Sequence, residues 1–428
     1  MKTFSIIKKR LILVLSILFL CGSFSIAQIN KPSPYPDRII LNLTENTSNS
    51  IAVSWRTALS VTDGYCELQV APEGSVKQKN SKLFKAKTTS IKYEYRSVKY
   101  PDKDEPVIEA NQHSYVFVDL VPGKNYIYRV GSKNFWSEWF EFQMPTVDDN
   151  SFSFIYFGDP QKDLKSQWSR VIRRAYRHEP NCAFMLYGGD LINRAGKDTE
   201  WHEWFEAGSF IYAVVPQIMT PGNHDYDGLT LDPHWNAQFT LPTNGPKGLE
   251  GTCYVTDYKN LRIISIDSAV DSELKNEDGY KLEAQKIWID SVLQVNTKEW
   301  VIVTTHLPFY SSTEDRDNKH LREHIQPILE KHGVDMVLTG HDHTYARGIA
   351  SDFSAKPSIV YVVSVSGPKS YEIGDKEWME VKGSNVQLFQ EISIDGNRLH
   401  FRAITANGKL LDEFKIKKKT NGKNKFIE

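Results

Sequence analysis

From residue 151 onward the sequence predicts an α/β fold, a largely buried sheet covered by helices, and residues 36–146 predict an all-β unit ahead of it. Two patterns lead there. In the longer segment, apolar runs of strand length alternate with stretches of 3.6-residue periodicity, as expected of helices laid over a sheet. The shorter segment holds only brief β-rich runs separated by turn residues. At 428 residues, with 40% hydrophobic and 12% aromatic side chains, the chain is too long for one small domain and can fill a sizeable core.

Residues 1–27 are predicted to lie outside the fold. Lys8-Lys9-Arg10 is a positive start, 11–20 an apolar run, and Ser25-Ile26-Ala27 a small-x-small cleavage site, together a secretory signal. The apolar run is short for a membrane span. The mature chain is expected to be exported, periplasmic, secreted or on the cell surface, and to begin near Gln28. Cys21 hints at lipidation, but Leu20 before it is bulkier than such a site takes. Losing Lys2, Lys8, Lys9 and Arg10 moves the formal net charge from −1 to −5, which gives no ground for nucleic-acid or anionic-membrane binding. Cys66, Cys182 and Cys253 remain, an odd number that excludes a disulfide framework; Cys66 and Cys182 fall in apolar runs, as buried thiols do.

In the first unit, runs at 39–43, 50–55, 65–70, 114–120 and 125–132 are separated by turns such as Thr47-Ser48-Asn49, Pro72-Glu73-Gly74 and Pro122-Gly123. That spacing suggests a sandwich of fibronectin type III character. The charged, Tyr-rich stretch 82–103 is expected to be a solvated hairpin, and 144–150 a linker. Strand runs then follow at 152–157, 183–187, 214–219, 261–267, 300–305, 336–339 and 359–365, with helical stretches at 164–178, 201–211, 282–295 and 321–332. The tail, 386–419, returns to β pattern, with Asp395-Gly396-Asn397 and Asn407-Gly408 as hairpin turns. The Lys-rich end, 415–425, is expected to be frayed and solvated.

The stretch Pro-Gly-Asn-His-Asp at 221–225 organises the chemistry. Asn-His-Asp alone suits a plain turn. With Asp159, Asp190, His306, His341 and His343, however, Asn223 completes a set of two Asp, one Asn and three His. This mixed oxygen and nitrogen set suits borderline divalent or trivalent metals. Each member lies just beyond the carboxyl end of a predicted strand, where α/β sheets place their sites.

These motifs, in this order, resemble the calcineurin-like metallophosphoesterases, and among them the purple acid phosphatases. The blocks are Gly158-Asp159, Gly189-Asp190-Leu191-Ile192-Asn193, Gly222-Asn223-His224-Asp225, Thr304-Thr305-His306-Leu307-Pro308 and Gly340-His341-Asp342-His343. Ser50–Thr57 and 120–126 are similar to that group's N-terminal fibronectin-like domain, and 386–416 to its C-terminal β-segment. The resemblance implies a signal peptide at 1–27, a fibronectin III-like domain at 36–146 and a metallophosphoesterase domain at 151–419, with a β-sheet sandwich core flanked by helices. It implies two metals (Fe, Mn or Zn), one held by Asp159, Asp190 and His343, the other by Asp190, Asn223, His306 and His341. His224 would face the phosphate and protonate the leaving group, with Asp225 as its partner.

The implied reaction is hydrolysis of phosphate esters by a metal-bound water, with a monoesterase favoured over a phosphodiesterase or nucleotidase. The reading from another class is a binding protein with a degenerate site, its N-terminal sandwich contacting protein or glycan. The loop residues His234, Trp235, Arg316 and Lys319 flank the motifs and are expected to be ordinary loop surface, with substrate contact as the alternative.

The chain departs from the family pattern at two places. The first motif normally carries a His two residues after its Asp, or a Gly there combined with a Tyr three residues after the second Asp. Here Gln161 and Asn193 stand in those positions, with Gln161 as a weak amide ligand or a hydrogen-bond partner of bound water. Without the phenolate, iron-loaded protein is expected to lack the visible charge-transfer band that makes related enzymes purple. An absorption spectrum checks this, and a green-region maximum abolished by mutating another Tyr would overturn it.

Overall fold

The apolar runs that alternate with helices assemble into two mixed sheets packed face to face. The computed structural model describes residues 31–96, 105–147, 149–269, 279–354, 358–418 and 424–427. The expected signal segment, Cys21 and parts of 82–103 and 415–425 lie outside them. In the first sheet, strand Ser151–Phe157 runs parallel to Met185–Tyr187, which pairs in turn with Gln217–Met219; Leu388–Asp395 lies antiparallel on the other side. In the second, Leu261–Ile266, Trp300–Thr305, Met336–Thr339 and Val360–Val363 are parallel, flanked by antiparallel Tyr254–Tyr258 on one side and by Tyr345–Ile349, then Val381–Gly383, on the other.

Successive side chains of a strand point to opposite faces. Leu261, Ile263, Ile302, Met336, Leu338, Val360 and Val362 therefore join Phe154, Tyr156 and Leu186 in the core between the sheets, whereas Phe157 and Tyr187 turn to Trp168 and Trp204 on the helical side. The alternate residues Ile264, Ile266, Val301, Val303, Val337 and Tyr361 pack outward, against Ile289, Leu293, Leu321 and Leu329 from the covering helices. Burial on both faces is why these strands are apolar runs rather than alternating ones.

The N-terminal unit is a sandwich, but it is not separate from the first sheet. Its four-stranded face comprises Lys82–Lys85, Tyr65–Val70, Asn125–Gly131 and Phe140–Gln143. Its other face, Asp37–Leu43, Ile51–Thr57, Ile108–Phe117 and Lys87–Tyr93, continues the large sheet through a parallel bridge between Asn42 and Gln217. The Asn42 amide donates to the Gln217 carbonyl at 3.1 Å, and Trp55, Leu41, Val53, Tyr128 and Val130 fill the space between the two faces.

Several expectations are corrected. The described part of 82–103, residues 82–96, does not pair with itself as a hairpin: Lys82–Lys85 pairs with Tyr65–Val70 in one sheet, and Lys87–Tyr93 with Ile108–Phe117 in the other. Tyr93 is buried and stacks on His234 at 3.6 Å between ring centroids. His234 and Trp235 are fully buried, neither loop surface nor substrate contacts. The periodic stretch 321–332 is split at Ile325 into helices Lys319–His324 and Gln326–Lys331, because Pro327 lacks the N–H that would continue the first. The run 214–219 yields only Gln217–Met219 as strand, since Val214 ends the helical turn Ile211–Val214. The Lys-rich end pairs as Leu410–Lys418 with Asn424–Ile427, and Lys418 is buried against Asp335 at 2.6 Å. Cys66, Cys182 and Cys253 are buried free thiols.

Charge joins the sandwich to the α/β core. Buried Arg38 and Arg56 of the sandwich meet Asp198 at 2.8 and 3.3 Å, and Asp198 accepts from His234 Nε2 at 3.1 Å. His234 Nδ1 bonds Asp232 at 2.7 Å. Burial alone would raise the Asp198 carboxyl, but Arg38, His234 and Arg56 hold it well below the usual range. Removing one partner from such a cluster leaves a buried charge uncompensated. Asp198→Ala is expected to destabilise the protein by about 3–5 kcal/mol in denaturant unfolding, whereas Lys319→Ala, which breaks an exposed pair, should leave the unfolding midpoint nearly unchanged.

Candidate metal centre

Five strand ends of the two sheets open onto one place. Asp159 follows Ser151–Phe157, Asp190 follows Met185–Tyr187, Asn223 follows Gln217–Met219, His306 follows Trp300–Thr305, and His341 and His343 follow Met336–Thr339. Asp159, Asp190, His341 and His343 all have positive φ, at 29°, 50°, 71° and 48°. Asp and His enter this left-handed region more easily than most residues, but four at one site are strain gathered where side chains must converge. Glycines make room for them. A Cβ on Gly340 would lie 1.9 Å from Asp159 Oδ1, and one on Gly222 would lie 2.2 Å from Asp190 Oδ1.

Backbone donors fix both carboxylates. The Asp159 oxygens accept the His341 N–H at 2.9 Å, and Asp190 Oδ1 accepts the His224 N–H at 2.8 Å. His306 Nδ1–H donates to the Gly188 carbonyl at 2.9 Å, so its Nε2 presents a lone pair. Around that Nε2 stand Asn223 Oδ1 at 3.1 Å, His341 Nδ1 at 3.1 Å and Asp190 Oδ2 at 3.4 Å. On the other side of Asp190, donor atoms of Asp159, Asp190 and His343 all lie within 4.8 Å of one another, with His343 Nε2 3.3 Å from Asp159. These are acceptor atoms facing acceptor atoms; Asp159, Asp190, His306 and His343 are buried, Asn223 and His341 half-buried, and His343 Nδ1 is buried without a partner. Such a set fits cations, and Asp190 is common to both halves.

Without a cation the charges settle unevenly. Burial drives the Asp159 carboxyl up to about 7, with His306 opposing and Asp190 adding. Burial would lower His306, yet Asp190 and Asp159 raise it to about 10. Asp190 is held below the usual range because His306 and His224 outweigh its burial. Burial and the Lys369 charge push His343 down to about 3.

The remaining candidates fall in different places. His224 is half-buried, and its Nδ1–H donates to the Asn193 carbonyl at 2.8 Å, which leaves Nε2 free. Asp225 is not the partner of that ring. Its buried carboxylate accepts the N–H groups of Gly222 at 2.8 Å and Leu191 at 3.2 Å, tying two motif loops together. Asn193 enters through its backbone, with its N–H held by Glu200 at 2.8 Å. Gln161 is buried beside Asp159, its Oε1 3.4 Å from Lys369 Nζ. Arg316 reaches the His341 carbonyl and Asp342, each at 3.0 Å, whereas Lys319 is exposed and pairs with Glu323. The sequence reading missed Glu200, which carries no motif, and Lys369, although it follows the predicted strand 359–365 as the other site residues follow theirs.

A family model described as calcineurin-like phosphoesterase matches residues 152–345, and one described as purple acid phosphatase, N-terminal domain, matches 36–144. The chain carries a calcineurin-like phosphoesterase domain behind a purple acid phosphatase N-terminal domain. Among relatives of this chain, human acid phosphatase type 7 is 26% identical over 255 residues, 55% of this chain and 56% of the human one. Purple acid phosphatase 22 of Arabidopsis thaliana is 24% identical over 358 residues, 79% of this chain and 76% of its own. The chain thus spans little more than half the length of the human relative. Among solved structures, purple acid phosphatase PPD1 from yellow lupin superposes with a TM-score of 0.74 at 18% identity, covering 92% of this chain and 76% of that one, which establishes a shared fold.

Gly340→Ala is expected to displace Asp159 and reduce the metal retained on purification. Gly74→Ala, where an added Cβ meets nothing within 4 Å, should not. Elemental analysis of the two variants, alongside their thermal melts, checks this.

Proposed function

We propose that this chain is an exported, dinuclear-metal phosphoesterase that hydrolyses phosphate monoesters. The observation that carries the reading is the convergence of Asp159, Asp190, Asn223, His306, His341 and His343, all acceptors, with Asp159, Asp190, His306 and His343 buried and His224 at the edge. The matches to phosphoesterase and purple acid phosphatase families support the reaction class. The signal-like sequence at 1–27 supports export, and among the described residues no helix is long and apolar enough to cross a membrane.

In this reading Asp159, Asp190 and His343 hold one metal, and Asp190, Asn223, His306 and His341 hold the other. When bound, two such ions (Fe, Mn or Zn) supply Lewis acidity toward phosphoryl oxygens and lower the pKa of water. The protein's residues do the rest. Asp190 serves both halves because a carboxylate has two oxygens and a charge to offset two cations. The Asn193 carbonyl fixes the proton on His224 Nδ1, so any proton carried on Nε2 is the one offered to the leaving oxygen. Glu200 steadies that carbonyl by accepting the N–H groups of Asn193 and Arg194 at 2.8 and 2.9 Å. Asp225 keeps the loops of Asp190 and His224 in register without touching the reacting groups.

Asp190 and His224 are expected to fail differently. Asp190→Ala should lower metal content and activity together. His224→Ala should retain both metals and lose turnover by about 10²–10⁴-fold, the usual contribution of a general acid. The loss should be largest on alkyl phosphates and smallest on nitrophenyl phosphate, whose leaving group scarcely needs a proton. Elemental analysis with a leaving-group series checks both variants; loss of metal from His224→Ala, or full activity on alkyl phosphates, overturns the assignment.

A further inference from the structure

The interior of the site is rich in acceptors, but its rim at the first motif is rich in donors. Gln161 is fully buried, and its Nε2 has no hydrogen-bond partner. Its Oε1 takes the Lys369 ammonium at 3.4 Å. Among the described residues no carboxylate lies within 4 Å of Lys369 Nζ, so the ammonium faces the Asp159 and His343 side of the site with spare N–H groups. A buried amide and a half-buried ammonium, both short of acceptors, leave a place for anionic oxygen.

Lys369 is also built into position. Its loop is laced onto the first motif by the Ser366 N–H to the Gly158 carbonyl at 2.7 Å and the Gly367 N–H to the Asp159 carbonyl at 2.8 Å. Gly367 packs so tightly there that a Cβ would lie 2.3 Å from the Pro160 carbonyl and 2.6 Å from that of Gln161. Tyr371 braces the far side, its ring 5.2 Å from Lys369 Nζ and edge-on to His343 at 4.7 Å. Arg316 lies over the same ring at 4.9 Å, but its charge is already taken by Asp342.

We infer that Lys369, with the Gln161 amide, binds a non-bridging oxygen of the substrate phosphoryl group and selects monoesters over diesters. The inference rests on the phosphoesterase reading above. A monoester brings three non-bridging oxygens and close to two charges at neutral pH, a diester two oxygens and one charge, so an added pair of donors rewards the monoester. Lys369 is a substrate-binding residue; Gly367 and Tyr371 position it.

The test uses Lys369→Met and Lys369→Arg in the metal-loaded full-length protein. Metal content is measured by elemental analysis, inorganic phosphate binding by calorimetry, and kcat/KM on 4-nitrophenyl phosphate and bis(4-nitrophenyl) phosphate. Lys369→Met is expected to keep its metals, to bind phosphate about 10- to 100-fold more weakly, and to lose a similar factor on the monoester. The diester should change by less than about threefold, the scatter of a substitution that touches nothing. Lys369→Arg should restore most of the phosphate affinity. Unchanged phosphate affinity overturns the inference, as does tighter metal binding as the sole effect, or equal loss on both esters. A wild-type protein that binds metal and phosphate yet cleaves neither ester removes the phosphatase reading, and the phosphate titration still decides the role of Lys369.

Discussion

Two buried carboxylates, Asp159 and Asp190, set the terms for the rest of this protein. Both sit in left-handed backbone, both are nearly inaccessible to water, and neither is paired with an Arg or Lys inside the site. Burying such charges is costly unless something positive joins them. The architecture around them lowers that cost in steps. Two backbone N–H groups point at the carboxylates, and Gly222 and Gly340 allow the loops to close on them without a Cβ in the way. His306 then takes up charge in the cation's absence. The left-handed conformations cost of order 1–3 kcal/mol each, and they persist because the sheets beneath leave these turns no alternative path.

That constraint extends to the N-terminal sandwich. Its strand Asp37–Leu43 continues the sheet that carries Asp159, Asp190 and Asn223, and Arg38 and Arg56 deliver positive charge to Asp198. From Asp198 the chain of contacts passes through His234 to Asp232, whose carboxylate holds the Gly196 N–H at 2.7 Å. Gly196 belongs to the loop that presents the Asn193 carbonyl to His224, and Glu200, one residue past Thr199 in the helix begun by Asp198, grips the same loop from its other side. The sandwich is therefore a buttress for the loop that orients His224, and no freely tethered module would serve in that way. Six fully buried Trp residues, including Trp201 and Trp204 of that helix, make the support stiff.

Much of this was legible in the chain, for physical reasons. Strands buried on both faces must be apolar throughout, so their ends were sharp, and the polar residues just beyond them stood out. Pairings that depend on how a turn closes were not legible. Asp225 follows His224 directly and was expected to serve it. In the short turn Asn223–Asp225, however, its carboxylate folds back onto the Gly222 N–H, and a main-chain carbonyl takes the imidazole instead. A carbonyl has no signature in sequence. Likewise, the charge and tyrosines of 82–103 suggested solvent, but the stretch crosses from one sheet to the other, and Tyr93 turns inward onto His234. His234 and Trp235 lie in a segment without strand or helix pattern, where polarity suggests surface unless the buried charges that hold it are known.

The departure at the first motif follows from the same balance of charge. A phenolate in place of Asn193 or an imidazole in place of Gln161 would add a further donor of electron pairs to the half of the site built by Asp159, Asp190 and His343. What stands there is a neutral amide, with a lysine ammonium a hydrogen bond away. A neutral amide in place of a phenolate leaves less negative charge in that half, and the Lys369 ammonium sets positive charge at its edge. Both changes work against a trivalent ion, which draws most of its stability from anionic ligands, and weaken a divalent one less. The positive charge stands on a side chain at the mouth of the donor set. Charge held there attracts an anion entering the site, so, on the proposed phosphoesterase reading, the altered motif shifts the chain's electrostatic effort from holding metal toward recognising the phosphoryl group.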